Sequence, residues 1–161
     1  MGMLLWPQYK EQSGKAKNAF IFLEVVIAVS IMGIILGMAA PALQGPFERF
    51  RVITSARQLE SDMRNLQQEA ISLEDSGYKI LFSNTFYQIS RDNIPIKTVN
   101  LPAGVTIAFN NFPSSQLNFN LKGLPLNNGH VKFYGETTGE IRYVIVYALT
   151  GRIRIDTLPP S

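Results

Sequence analysis

Three patterns of apolar and polar positions follow one another along the chain. Residues 19–43 are apolar throughout except for Glu24 and the hydroxyl of Ser30. A helix rises about 1.5 Å per residue and a bilayer core is about 30 Å thick, so about twenty such residues suffice to cross a membrane. From Val52 the apolar positions recur at alternating spacings of four and three, at Val52, Ala56, Leu59, Met63, Leu66, Ala70 and Leu73, which draws a single stripe along a helix. Arg57, Glu60, Asp62, Arg64, Gln67, Gln68 and Glu69 fill the other faces. The stripe is too short for a sustained coiled coil, so the expected cover for it is the sheet that follows. Glu74-Asp75-Ser76-Gly77 supplies a stop and a turn.

Beyond residue 77 the period changes to two, with β-branched and aromatic residues alternating with polar ones between short turn clusters. Strands are predicted at residues 78–82, 86–90, 94–99, 105–109, 117–120, 130–134, 141–147 and 152–155. Pro95 inside the third confines it to an edge or a loop. The expected fold class is α+β: a long N-terminal helix, first transmembrane and then amphipathic, followed by an antiparallel β-sheet or sandwich. The organisation reads as a head over 1–19, a transmembrane helix over 20–43, an amphipathic helix over 44–75 and an extracytoplasmic β domain over 76–161.

Charge sharpens the orientation. Lys10, Lys15 and Lys17 precede the span and only Glu11 opposes them, so the positive-inside rule keeps the N-terminus cytoplasmic and sends the C-terminal domain outward. The formal net charge is +3, of which the head supplies two, so the soluble part has no global attraction for nucleic acid and needs a local patch for any such role. The chain has no cysteine, which removes disulfides and thiolate chemistry. With His130 the single histidine, metal sites built on several imidazoles are excluded, and no cofactor is expected. No nucleophile, base and orienting group can be assembled, so no enzymatic activity is expected.

Ala19-Phe20-Ile21-Phe22-Leu23-Glu24-Val25-Val26 resembles the processing motif of type IV prepilins and pseudopilins, with alanine standing where glycine is usual. The resemblance implies that residues 1–19 are a leader, that a prepilin peptidase cuts between Ala19 and Phe20, and that the new Phe20 amine is methylated. It also implies that Glu24 stays buried in an assembled filament, facing a neighbouring subunit's N-terminus, and that Pro41 marks a kink or melted turn. Glu24 fits this on physical grounds, because a carboxylate in lipid is costly and recovers part of that cost when paired with an ammonium. Further along, Leu117-Asn118-Phe119-Asn120-Leu121-Lys122-Gly123, Asn128-Gly129-His130-Val131-Lys132 and Ile145-Val146-Tyr147-Ala148-Leu149-Thr150-Gly151-Arg152-Ile153-Arg154 are similar to minor pseudopilins of the GspH and FimT group. Together with Ala56-Arg57-Gln58-Leu59 and Gln67-Gln68-Glu69-Ala70-Ile71-Ser72 they look most like the ComGD subunits of competence machinery.

The implied role is that of a minor pseudopilin in a competence filament for DNA uptake. Its partners would be other major and minor pseudopilins, the prepilin peptidase, the membrane and DNA. The alternatives are a subunit of a type II secretion pseudopilus or type IV pilus, and a membrane-anchored binding domain that never polymerises. In a strand, Arg152 and Arg154 project to one face, and Arg142 on the preceding strand is expected nearby across the Thr150-Gly151 turn. These guanidiniums read either as a phosphate grip, which the FimT likeness ties to DNA, or as charges guarding a strand edge. Tyr134, Tyr143 and Tyr147 read first as cross-strand or core aromatics and second as stacking surfaces. Mass spectrometry of the chain extracted from peptidase-positive membranes is expected to find an N-terminus at methylated Phe20. An intact Met1 would overturn the processing assignment.

Overall fold

The computed structural model describes residues 9–42 and 44–160, and the chain divides between Gln44 and Gly45 into two units. In the first, helix α1 (Tyr9–Ala42) contains one stretch, Phe20–Met38, long and apolar enough to cross a membrane. Every side chain of that stretch is exposed in the isolated chain, as expected of a helix that buries its surface in lipid or against other helices. Ser30 Oγ donates to the Val26 carbonyl at 2.7 Å, so the hydroxyl is satisfied within the helix. The helix passes through Ala19 and Phe20 without a break. The first eight residues of the head, and Leu43 beside the bend expected at Pro41, lie outside the described residues.

The second unit is built on helix α2 (Gln44–Ser72). Strands β1 (Tyr78–Phe82), β2 (Phe86–Arg91), β3 (Ile94–Asn100) and β5 (Gln116–Asn118) form one antiparallel sheet in the order β3-β2-β1-β5. Strands β4 (Val105–Asn110), β6 (Gly129–Gly135), β7 (Ile141–Val146) and β8 (Ile153–Asp156) form the other, in the order β4-β6-β7-β8. The α+β class and the antiparallel pairing expected from the sequence are both present. β3 is an edge strand, as Pro95 required, and a bulge opposite Ile89 and Ser90 breaks its register.

The stripe on α2 is the wall shared by both sheets. Val52, Ala56, Leu59, Met63, Leu66 and Ala70 are buried in one cluster with Ile80, Tyr87 and Ile89 of the first sheet and Val131, Phe133, Val144 and Val146 of the second. Leu73 does not belong to it: the helix stops at Ser72, Glu74 turns with φ 48°, and Leu73 is left 56% exposed. β5 is shorter than expected because Asn120 turns the chain, its Oδ1 accepting the N–H groups of Lys122 and Leu124 at 2.9 Å each.

Two buried carboxylates fix α2 against the sheets. Asp62 accepts from Tyr87 Oη at 2.6 Å, from Lys97 Nζ at 2.8 Å and from Gln58 Nε2 at 3.1 Å, tying the helix to β2 and to edge strand β3. Burial, then the Asp62 carboxylate, push the Tyr87 phenol well above its usual range, so it stays a donor. Nearer the helix start, one oxygen of Glu48 accepts the N–H groups of Thr137 and Thr138 at 2.9 Å each and the Thr138 hydroxyl at 3.0 Å. These donors, led by the Thr138 N–H, hold the Glu48 carboxyl down at about 2. A carboxylate whose pKa is depressed on folding stabilises above its ordinary range and loses that contribution as pH falls toward its folded value. Glu48→Gln is therefore expected to lower the unfolding midpoint at neutral pH. In urea titrations the gap from the unaltered protein should close between about pH 4.5 and about pH 2.

Candidate polyanion groove

Strand β8 is the outer strand of its sheet, and α2 runs past its free edge. Arg64 donates to the Ile153 carbonyl at 3.1 Å and to Glu60 Oε1 at 2.8 Å, one turn back on the helix. Gln67 Nε2 reaches the Gly151 carbonyl at 2.8 Å, just ahead of the strand. Gly151 has φ 65°, and a Cβ there would lie 3.0 Å from Leu124, so only glycine carries the chain into β8 without strain. β8 accordingly starts at Ile153, and Arg152 stands in the turn, its carbonyl accepting from Tyr147 N–H at 3.0 Å.

The result is an open groove of about 810 Å³, lined by Arg57, Glu60 and Arg64 from the helix and by residues 151–155 from the strand. Four guanidiniums, those of Arg57, Arg64, Arg152 and Arg154, meet one lining carboxylate, which is already paired with Arg64. Asp156 lies 3.3 Å from Arg154, but its carboxylate is engaged first by the N–H groups of Leu158 and Thr157, which with Arg154 keep it ionised. The groove thus holds a surplus of positive charge beside a hydrogen-bonding strand edge. That is the chemistry of a site for an extended polyanion such as a phosphodiester chain.

The residues assigned to DNA contact do not all converge. Arg152 and Arg154 line the groove. Arg142 does not belong there: β7 and β8 run antiparallel with Tyr143 opposite Asp156 and Val146 opposite Ile153, so Arg142 lies at the far end of the hairpin from Arg152. It also shares a sheet face with Val144, whereas Arg154 is opposite Ile145 and so lies on the other face. Glu140 pairs with the Arg142 guanidinium, which donates to the Ile141 carbonyl as well. Arg57 and Arg64 take its place. Their spacing of seven, with Glu60 between, already put them on one helix face; what the sequence lacked was the neighbouring strand edge. Phe20 and Glu24 lie on α1 with exposed side chains.

No protein-family model matches the sequence, and no curated protein matches it either. The fold is similar to the crystal structure of the type IV minor pilin FimU of Pseudomonas aeruginosa strain PAO1. The TM-score is 0.55 at 17% identity, over 68% of this chain and 90% of that one. The likeness establishes a type IV pilin-like fold.

With a short DNA duplex as polyanion probe at low salt, Arg57→Ala and the pair Arg152→Ala, Arg154→Ala are expected to weaken binding by the full chain in detergent. Each lost contact should also flatten the log–log salt dependence by about 0.9. Arg142→Ala is expected to bind as the unaltered protein does.

Proposed function

We propose that the chain is a minor pseudopilin: a subunit held in the membrane by α1, released from its leader by a prepilin peptidase between Ala19 and Phe20, and assembled with other pilins into a type IV pilus-like filament. The observation that carries this reading is the joining of a processing-type motif and an apolar span bearing one carboxylate to a domain of type IV pilin-like fold. Either element alone is common ground for many anchored proteins. Together they give Glu24 a task, since a carboxylate stranded at the start of a span favours the state in which a neighbour's amine meets it. Pro41 marks the place where the helix bends or melts on packing. The N-terminus lies in the cytoplasm, the β domain outside, and the domain reaches the cell surface in the filament.

The filament serves DNA uptake in a competence system, the setting that the similarity to ComGD-type subunits implies. DNA contact falls to Arg152 and Arg154, joined by Arg57 and Arg64 across the groove and without Arg142. Phosphates suit this groove because guanidinium pairs bind them in bidentate fashion at fixed spacing. The likeness to a type IV minor pilin favours a second reading, a place in a type IV pilus, and the neighbouring genes separate the two.

Glu24→Ala is expected to leave the chain in the membrane fraction while reducing its recovery in sheared filaments. Filament incorporation unchanged by the substitution would remove the role given to Glu24, and a chain that never enters filaments would favour an anchored binding domain instead.

A further inference from the structure

The face of the β4-β6-β7-β8 sheet turned away from the core carries an unusual set of side chains. The register places Phe109, Lys132, Tyr143 and Asp156 in one row across the four strands. His130, Ile145 and Arg154 stand in the next row. Phe109 and His130 lie 5.5 Å apart between ring centroids, and His130 and Tyr143 5.7 Å, so three rings touch in series over β4, β6 and β7. Cations flank them: Lys132 lies 6.0 Å over the Tyr134 ring, and Arg154 5.9 Å over that of Tyr147. Ile145 is 1% exposed although it points away from the core, so the rings and guanidinium around it are packed together as a preformed surface. Phe109 is 51% exposed, and its ring opens the series to solvent. Burial pushes the His130 imidazole down, so at neutral pH it is an uncharged ring in the series. Among the described residues, the buried Arg154 Nε has no hydrogen-bond partner.

Arg154 belongs to both surfaces, lining the groove on one side and covering Tyr147 on the other. A duplex shows its phosphates outward and hides its base faces in the stack, so it uses the arginines and leaves the rings idle. A single strand offers both, phosphates to the guanidiniums and free base faces to the rings. We infer that this face and the groove together form a binding platform for single-stranded nucleic acid, its backbone tracking Arg152 and Arg154 and its bases stacking on Phe109, His130 and Tyr143. The inference rests on the proposed nucleic-acid role of the groove and adds the strand form that it takes. Charge complementarity selects the ligand: Asp156 offsets Arg154 and Glu60 offsets Arg64, which leaves the positive charges of Lys132, Arg57 and Arg152 in surplus across the face and the groove. An uncharged glycan would use the rings and forgo the cations.

The test is fluorescence anisotropy with the full chain in detergent, comparing an oligothymidylate with a duplex of equal length and with inorganic polyphosphate at one ionic strength. The oligothymidylate is expected to bind more tightly than either competitor. Phe109→Ser, at an exposed site, and Tyr143→Leu, which keeps apolar volume without the ring, should together weaken its binding by about fivefold or more, with duplex affinity and the unfolding midpoint nearly unchanged. Equal affinity for duplex and single strand, equal affinity for polyphosphate, or single-strand binding untouched in the ring variants would each overturn the platform while leaving the arginine groove standing. Loss of all nucleic-acid binding in the unaltered protein would remove the groove reading and the platform with it.

Discussion

One apolar stripe on α2 has to serve two sheets, and the second unit depends on that sharing. Neither four-stranded sheet closes on itself, and both turn apolar side chains into the one buried cluster that holds Leu59 and Met63 of the helix. A helix shared in this way is free to slide or roll unless polar groups fix its register, because apolar contact has no direction of its own. Glu48 and Asp62 provide the fixing. They lie about 21 Å apart along the helix at 1.5 Å per residue, one bonded to the turn after β6 and the other to β2 and β3. Each carboxylate is buried with several donors around it, the condition under which a buried charge specifies an arrangement rather than opposing it.

The arginine groove follows from where that register puts the helix. With α2 held in place, Arg57 and Arg64 come beside the free edge of β8, and Arg64 satisfies the Ile153 carbonyl that the sheet leaves unpaired. The same guanidinium therefore closes the strand edge and contributes charge to the groove. Edge protection and a gathering of positive charge, the features behind the two rival readings of the arginines near residue 152, meet here in one arrangement. Arg154 extends it around the edge to the aromatic face.

Much of this was legible in the chain before any coordinates. The span, the α2 stripe from Val52 to Ala70 and the positions of eight strands follow from periodicity, since burial on one side of a helix or strand writes its period directly into residue type. Pro95 announced an edge because it has no N–H to give to a second neighbour. The misplacement of Arg142 has a simple origin: closeness along a hairpin depends on register, and a turn at residues 150–151 brings Tyr147, not Arg142, opposite Arg152. Arg57 and Arg64 looked like the solvated side of a helix because what they face is a strand some ninety residues away. The aromatic series was equally hidden, as three rings from three strands have no common spacing in sequence.

Edge strand β3 carries a consequence of a different kind. It is seven residues long, with Ile94 and Ile96 more than half exposed, which describes a template on which a foreign strand can grow. Pro95 withholds a donor near the start of that template, the bulge breaks the register beside it, and Lys97 is drawn inward to Asp62. Amyloid-like lateral fusion through this edge is thereby disfavoured even where copies are crowded together.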